Sequence, residues 1–175
     1  MPPGRVLLTQ AQIRARIRQL GNAISRHYRG KNPCFLGVMN GALFFHTDLL
    51  RAINLDEHDI SCIRLASYSG TQSTGLLHGL DVLDNSLQGR HVLIVDDVLD
   101  TGHTLAALTA RLKKIGAADV KICVLLDKRR KRDVAIKPNW TGFKIADEFV
   151  IGYGLDHNGR YRTLPHIRVL TSPSS

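Results

Sequence analysis

Three carboxylates lie within five positions of one another near the middle of the chain. Asp96 and Asp97 follow an apolar run, and Asp100 comes three residues later. The residues that follow Asp100 are Thr101, Gly102, His103 and Thr104. Backbone amides at a helix N-terminus, with threonine hydroxyls and a flexible glycine, form a cradle for a phosphate monoester. The adjacent acids can hold ribose hydroxyls or a hydrated Mg²⁺.

A simpler interpretation is that Thr104 only caps the following helix, while the three acids are solvated at a strand end. Burying such a cluster without a cation or hydroxyl partners would be costly. We therefore favour a ligand site. Rival motifs are absent, since no glycine-rich dinucleotide motif follows a strand and no P-loop sequence is present. The eight histidines show no metal-ligand spacing, which argues against zinc chemistry.

The acids belong to the clearest structural unit of the sequence. The pattern predicts a strand over Val92–Val95, a turn from Asp96 to Thr104, a helix over Leu105–Ile115 and a strand over Val120–Leu126. Gly116 is the stop signal of the helix. Strand, helix and strand in this order are typical of a βαβ crossover.

A second strand–turn–helix unit precedes the acids. Thr9 and Gln12 form a capping box that starts an amphipathic helix ending near Tyr28. A buried strand over Cys34–Met39 then leads into a helix over Ala42–Ile53. The side chains expected on the inner side of this second helix are Leu43, Phe44, Leu49 and Leu50. Two such units predict an α/β fold, a mainly parallel sheet with helices on both faces and ligands at the carboxyl ends of its strands.

A polar loop without periodicity follows the strand predicted over Ile60–Ala66. It spans Ser67–Gly75, and its small polar residues predict a mobile surface loop that could close over a ligand.

Length and composition limit the class of protein. With 175 residues, of which 43% are hydrophobic and 22% charged, the chain is predicted to fold as one domain, 1–175. Three scattered cysteines argue against a disulfide framework and favour a reducing cytoplasm. The first residues lack an apolar signal core, and no apolar run approaches the ~20 residues of a membrane span. We therefore expect a soluble cytoplasmic protein.

The net charge of +9 favours an anionic partner. Five of the positive charges form the run Lys128–Arg132, which we interpret as a solvated face near an anionic site.

Several stretches of the chain resemble one known family. Val95–Thr104 resembles the phosphoribosyl-pyrophosphate signature of type I phosphoribosyltransferases. The stretches that narrow this to the hypoxanthine-guanine branch are Arg64–Tyr68, Leu125–Lys128, Asp147–Asp156 and Arg160–Pro165. They occur in the family's order and spacing, and the resemblance covers about Thr9 to Leu170.

The resemblance implies the type I fold, with a small hood built from the N- and C-terminal segments. It also implies transfer of the 5-phosphoribosyl group from phosphoribosyl pyrophosphate to N9 of hypoxanthine or guanine, with Mg²⁺ as the metal and pyrophosphate released. Family members are usually homodimers or homotetramers. Two alternatives stay open: a xanthine-preferring transferase, and a regulator of the same fold that binds the pyrophosphate and nucleic acid through the basic run. The intact acids favour catalysis, so a nucleic-acid partner is not expected.

Carried over by position, the turn from Asp100 to Thr104 binds the 5′-phosphate, while Asp96 and Asp97 hold the ribose hydroxyls and contribute to the metal site. Asp100 is also the candidate catalytic residue. It acts either as a base at purine N7 or by stabilising positive charge, because an ordinary carboxylate is a weak base at neutral pH.

The resemblance assigns the remaining contacts to base and pyrophosphate. Lys128 donates to the purine 6-oxo group, Phe149 stacks on the base and Val150 reads its edge through the backbone. From spacing alone, Lys128 would be a solvated cation and Phe149 a core aromatic. Asp156 holds a Mg²⁺ on the pyrophosphate, and Arg162 contacts the pyrophosphate itself. Ser67 and Tyr68 belong to the flexible loop that closes over the reacting atoms.

The pyrophosphate loop departs from the family pattern. The family usually has Leu-Lys-Gly or Leu-Arg-Gly here, whereas this chain reads Val38-Met39-Asn40-Gly41 and lacks the cation. We therefore expect only backbone contacts from Met39, Asn40 and Gly41. The loop often carries a non-proline cis peptide in the family, and Met39–Asn40 is the bond that can adopt it.

Overall fold

The structure is a computed structural model that describes residues 4–67, 77–130, 132 and 134–170. The described residues include ten strands and three α-helices. The helices are α1 (Gln10–Tyr28), α2 (Leu43–Ala52) and α3 (His103–Ile115). The strands are β1 (Val6–Leu8), β2 (Pro33–Met39), β3 (Asp59–Arg64), β4 (Ala66–Ser67), β5 (Leu77–His78), β6 (His91–Leu99), β7 (Asp119–Lys128), β8 (Trp140–Ile145), β9 (Val150–Ile151) and β10 (Ile167–Val169). Two single-turn 3₁₀ helices, Leu80–Val82 and Asn85–Leu87, precede β6.

The central sheet has five parallel strands in the order β3-β2-β6-β7-β8. Successive residues of its strands point to opposite faces. Phe35 and Leu93 pack with α1 and α2 on one face, whereas Leu36 and Ile94 pack with α3 on the other. The α/β fold with helices on both faces is therefore confirmed.

Two of the three helices begin or end at the predicted signals. The Thr9 hydroxyl accepts from the Gln12 amide and the Gln12 side chain accepts from the Thr9 amide, so the capping box is present. Gly116 ends α3 in the left-handed conformation with φ 92°, where a glycine is favoured. The inner rows of these two helices are buried, as predicted: Ile13, Ile17, Leu20, Ile24, Leu105, Leu108, Leu112 and Ile115.

The inner side of α2 was predicted correctly for Leu49, which is buried, and for Leu50, which packs against the core, but wrongly for Leu43 and Phe44. Leu43 is 48% exposed and Phe44 36% exposed, while Phe45, His46 and Leu49 face the sheet. The reason is a close approach at Gly37 in β2, where an added Cβ would lie 2.5 Å from Nδ1 of His46. Because glycine leaves room for the imidazole, α2 turns His46 inward and its two N-terminal hydrophobic residues outward.

A smaller antiparallel sheet joins the two ends of the described chain, in the order β1-β10-β9. Leu8, Val150 and Ile167 from this sheet belong to the same hydrophobic cluster as the inner row of α1. The small sheet thus packs against the helical side of the central core. The assignment of 1–175 to one domain stays a prediction.

β4 and β5 pair antiparallel on either side of the polar loop predicted to be mobile. Apart from Ser67, that loop lies outside the described residues. In the part of the chain that is described, no helix is both long and apolar enough to cross a membrane.

Candidate active site

A cavity of about 360 Å³ opens where β2 and β6 end and α3 begins. This is the edge of a parallel sheet at which ligands are expected. The residues predicted from the sequence that line it are Met39, Gly41, Asp96, Asp97, Asp100, Thr101, Gly102, Thr104, Asp156 and Arg162. Segments that are more than one hundred residues apart therefore share one cavity.

Asp96 and Asp97 lie in a strand, not in the predicted turn. β6 continues to Leu99, because its pairing with β7 extends to the Leu99–Asp127 pair. The Asp96 carboxylate accepts a hydrogen bond from the Asp97 amide at 2.9 Å, and the Asp97 carboxylate accepts one from the Val98 amide at 2.8 Å. Both acids line the cavity.

Gly41 is required beside Asp97. A Cβ at Gly41 would lie 2.6 Å from the Asp97 carboxyl carbon and closer still to one of its oxygens. The pyrophosphate loop can approach the acids this closely only because residue 41 has no side chain.

The charged forms of the Asp96 and Asp97 carboxylates are disfavoured in the folded protein. Burial, and then the charge of Asp97, raise the pKa of Asp96 well above its usual value. Burial also raises the pKa of Asp97, while its hydrogen bonds and the charge of Arg162 act in the opposite direction. A bound cation would relieve this repulsion. Oxygen ligands are the kind that Mg²⁺ prefers, so the residues present fit such an ion.

The described residues contain no cluster of three or more His, Cys, Asp or Glu side chains that could enclose a metal. Mg²⁺ usually uses one or two carboxylates together with substrate phosphates and water, so a site built on Asp96 and Asp97 needs no such cluster.

The turn after β6 begins α3 in an unexpected way. The N-cap is Gly102 with φ 91°, and no side chain caps the helix, so the interpretation of Thr104 as the cap is wrong. An added Cβ at Gly102 would lie 2.6 Å from Cγ2 of Ile136, which also restricts this position to glycine. Thr104 instead lines the cavity, and His103 begins the helix at an exposed position outside the lining.

The first amides of α3 have no partner within the helix, as at every helix N-terminus. Thr101 and Thr104 line the cavity beside these amides, and the phosphate cradle expected here stays a prediction.

Asp100 is paired with two cations. Nζ of Lys128 donates to one of its oxygens at 2.7 Å, and Arg130 donates to the other at 2.8 Å. Burial raises the pKa of Asp100, but the hydrogen bond and charge of Lys128, followed by those of Arg130, outweigh burial and lower it. Asp147 lies 3.6 Å from both cations. Sequence reasoning missed Arg130 and Asp147, because no local pattern places them beside Asp100.

Asp156 and Arg162 form an ion pair of 2.7 Å on the cavity wall. Arg162 also donates to the Gly154 carbonyl at 2.7 Å, and Asp156 accepts from the Gly159 amide at 2.7 Å. These contacts fix both side chains within one loop of the C-terminal segment.

The residues predicted to hold the base lie beyond the cavity lining. Phe149 is 52% exposed, and its ring meets the His157 ring edge-on at 5.5 Å. Val150 is buried in β9. Asp147 connects this segment to the cavity indirectly, because it lies 3.6 Å from Lys128, which pairs with the lining residue Asp100.

The residues predicted in the pyrophosphate loop and in the closing loop lie in different positions relative to the cavity. The Met39–Asn40 peptide is cis. Met39 and Gly41 line the cavity, whereas Asn40 is exposed and outside the lining. Ser67 ends β4, and Tyr68 lies outside the described residues.

The basic run is only in part the solvated face that we expected, since Arg129 and Arg130 are exposed but three of its cations are paired with carboxylates. Lys128 and Arg130 pair with Asp100, and Arg132 pairs with Asp127 at the end of β7. The pairing was not expected because the charged neighbours come from other elements. Lys131 lies outside the described residues.

The fold and the cavity together define a phosphoribosyl transferase domain, and the family model of that description matches residues 6–158. The bifunctional protein TilS/HprT of Listeria innocua is 42% identical over 171 residues, which are 95% of this chain and 26% of that protein. The chain therefore spans about a quarter of that relative's length.

Two other proteins match over nearly their whole length. The hypoxanthine-guanine-xanthine phosphoribosyltransferase of Tritrichomonas foetus is 41% identical over 171 residues, covering 95% of this chain and 91% of that protein. The crystal structure of a hypoxanthine phosphoribosyltransferase from Staphylococcus aureus superposes with a TM-score of 0.89 at 37% identity, covering 95% of this chain and 91% of that one. The chain belongs to the phosphoribosyl transferase family, in its hypoxanthine-guanine branch.

Proposed function

We propose that the protein transfers the 5-phosphoribosyl group of phosphoribosyl pyrophosphate to N9 of hypoxanthine or guanine, the central reaction of purine salvage. The observation that carries this proposal is that one cavity is lined both by the adjacent acids Asp96 and Asp97 and by Thr101 and Thr104 at the start of α3. A sugar phosphate needs both kinds of group, because its hydroxyls donate hydrogen bonds and its phosphate accepts them.

The reaction replaces one bond to C1′ by another. The bond from C1′ to pyrophosphate breaks and its electron pair leaves with the pyrophosphate oxygen, while N9 of the purine forms the new bond to C1′. The proton lost from the purine passes to Asp100 or to water. The carboxylate of Asp100 can receive this proton or oppose the positive charge that develops on the base, and these two roles stay open.

Asp96 and Asp97 would hold both the ribose hydroxyls and Mg²⁺, with Asp156 on the pyrophosphate side. The ion supplies charge neutralisation for pyrophosphate when bound. On the protein, Arg162 is the cation that reaches the same cavity wall. Its guanidinium suits pyrophosphate oxygens because it can donate two parallel hydrogen bonds.

Recognition of the base would depend on Lys128. An ammonium group donates to the 6-oxo group of hypoxanthine or guanine but faces a donor in adenine, which leaves both donors unpaired. The relative from Tritrichomonas foetus carries xanthine in its name, so acceptance of xanthine is the second candidate function. Binding of nucleic acid has less support, since Arg130 and Arg132 are already paired with carboxylates.

The test is a product assay on the purified protein with phosphoribosyl pyrophosphate and each of hypoxanthine, guanine, xanthine and adenine. We expect nucleotide and pyrophosphate from hypoxanthine or guanine, loss of turnover on chelation of Mg²⁺, and none from adenine. Turnover with none of the oxopurines would overturn the proposal, and preference for xanthine would replace it by the second candidate.

Assembly and location are proposed on separate grounds. The exposed apolar side chains Leu43 and Phe44 on α2 support a homodimer or homotetramer, since burying them between copies would remove them from water. Sedimentation of the protein and of Phe44→Glu tests this, and a monomeric wild type would overturn it. The free state of Cys34, Cys62 and Cys123 supports a reducing cytoplasm.

A further inference from the structure

Arg130 and three other residues form a closed arrangement of alternating charges, which we call the charge ring: Asp100, Lys128, Asp147 and Arg130. Lys128 donates to Oδ2 of Asp100 and Arg130 donates to Oδ1. Asp147 completes the ring at 3.6 Å from each cation. Both oxygens of the candidate catalytic acid are therefore held, and each is held by a different side chain.

The two cations of the charge ring differ in their surroundings. Both lie outside the cavity lining, but the Lys128 side chain is only 12% exposed, whereas that of Arg130 is 35% exposed. Ion pairs this exposed contribute little to folding stability. We therefore expect Arg130 to affect the position of the Asp100 side chain rather than the stability of the fold.

In the proposed reaction, Lys128 contacts two groups in turn. Its ammonium holds Asp100 in the structure, yet it must donate to the 6-oxo group when a purine binds. As Lys128 turns towards the base, its hold on Oδ2 of Asp100 weakens. Arg130 is then the cation of the charge ring that remains on Asp100.

We propose that Arg130 is a positioning residue for phosphoribosyl transfer: it holds Oδ1 of Asp100 so that Oδ2 faces the purine while Lys128 engages the base. This inference rests on the proposed function and deepens it. A planar guanidinium that contacts one carboxylate oxygen fixes the direction of the other, and a misplaced catalytic group is costly for the rate. The chain also offers a matched control, because Arg129 is exposed and makes no ion pair among the described residues.

The test measures kcat and KM of Arg130→Met, Arg130→Lys and Arg129→Met, each in the wild-type background and in Asp100→Asn, with single-turnover assays for slow variants. In the wild-type background we expect Arg130→Met to lose roughly threefold to tenfold in kcat, with KM for phosphoribosyl pyrophosphate changed less than about twofold. Arg130→Lys should recover part of the loss, and Arg129→Met should match wild type. In Asp100→Asn, Arg130→Met should cause no further loss, because its effect passes through Asp100.

Three results would overturn the inference: equal loss from Arg130→Met in both backgrounds, no loss beyond that of Arg129→Met, or a gain in kcat. Each of these requires a wild type that turns over. A wild type without oxopurine turnover instead contradicts the proposed function, so the two failures are distinguishable.

Discussion

Asp100 is partly exposed to solvent, and its carboxylate is the candidate catalytic group. Its side chain is 35% exposed and sits in the turn between β6 and α3, so it contributes little to the core. Its pKa is lowered by Lys128 and Arg130, which keeps it ionised at neutral pH. An ionised acid next to the base suits charge stabilisation and leaves only a weak base, so the charge-stabilising role has the greater electrostatic support.

Replacing this charge tests its role at the residue scale. We expect Asp100→Asn to lose roughly 10²- to 10⁴-fold in kcat, because an amide neither accepts the proton nor opposes positive charge on the purine. The midpoint of thermal unfolding should change little. Asp81→Asn, which makes the same charge change at an exposed position outside the cavity lining, is the control. A kcat close to that of wild type would remove Asp100 from the mechanism.

Gly41→Ala tests the close approach of the pyrophosphate loop to Asp97. Because the added methyl would collide with the Asp97 carboxylate, we expect that carboxylate to be displaced from the cavity. The expected result is an increase in KM for phosphoribosyl pyrophosphate on the order of tenfold, with a smaller effect on KM for the purine. Steady-state kinetics with each substrate varied in turn measures this. An unchanged KM for phosphoribosyl pyrophosphate would show that Asp97 does not hold the sugar.

The charged form of Asp96 is expected to lower the stability of the folded protein at neutral pH. Its raised pKa means that the folded protein binds a proton there more readily than the unfolded chain does. The contribution of Asp96 to the free energy of unfolding is therefore largest below the ordinary pKa of an aspartate and is lost as the pH rises through the raised value.

We accordingly expect Asp96→Asn, in chelator, to melt at a higher temperature than wild type at pH 8, with the difference shrinking towards pH 4. Melting curves across this pH range are the measurement. A variant that melts lower at pH 8 would mean that the Asp96 charge is compensated in the folded protein.

Some elements of the fold begin or end at local signals, whereas others depend on partners that are distant in the chain. α1 begins at its capping box and α3 ends at a left-handed glycine, and both signals are visible in the sequence because they act over four residues. The end of β6 and the rotation of α2 were not predictable in this way. The first depends on pairing with β7 and the second on a contact with β2, and both partners are distant in the chain.

The capping box gives a prediction at the element scale. Thr9→Ala removes the acceptor for the Gln12 amide, so we expect a loss of about 1 kcal/mol in the free energy of unfolding. Thr9→Ser keeps a hydroxyl and should retain most of the stability. Urea denaturation measures both variants. Since α1 lies away from the cavity lining, kcat should stay at the wild-type value, and a fall in kcat would link α1 to the site.

In the whole molecule, the central sheet brings together site residues from distant segments. Most of these residues could be predicted from the sequence, but their contacts with one another could not. The local pattern supplied the three acids near the end of β6 and the threonines beside them, and the family resemblance added Asp156 and Arg162, which line the same cavity. The ion pairs of Asp100 and of Asp156 could not be read from spacing, since each joins segments whose distance depends on the folded sheet or on a loop conformation. The basic run shows the same limit, because its charges are paired by acids from other elements.

The most direct measurement is a crystal structure of the protein with bound inosine 5′-monophosphate. We expect the 5′-phosphate on the amides and hydroxyls between Thr101 and Thr104, with the ribose hydroxyls at the carboxylates of Asp96 and Asp97. A nucleotide whose phosphate binds elsewhere, or whose ribose does not reach either acid, would contradict this expectation.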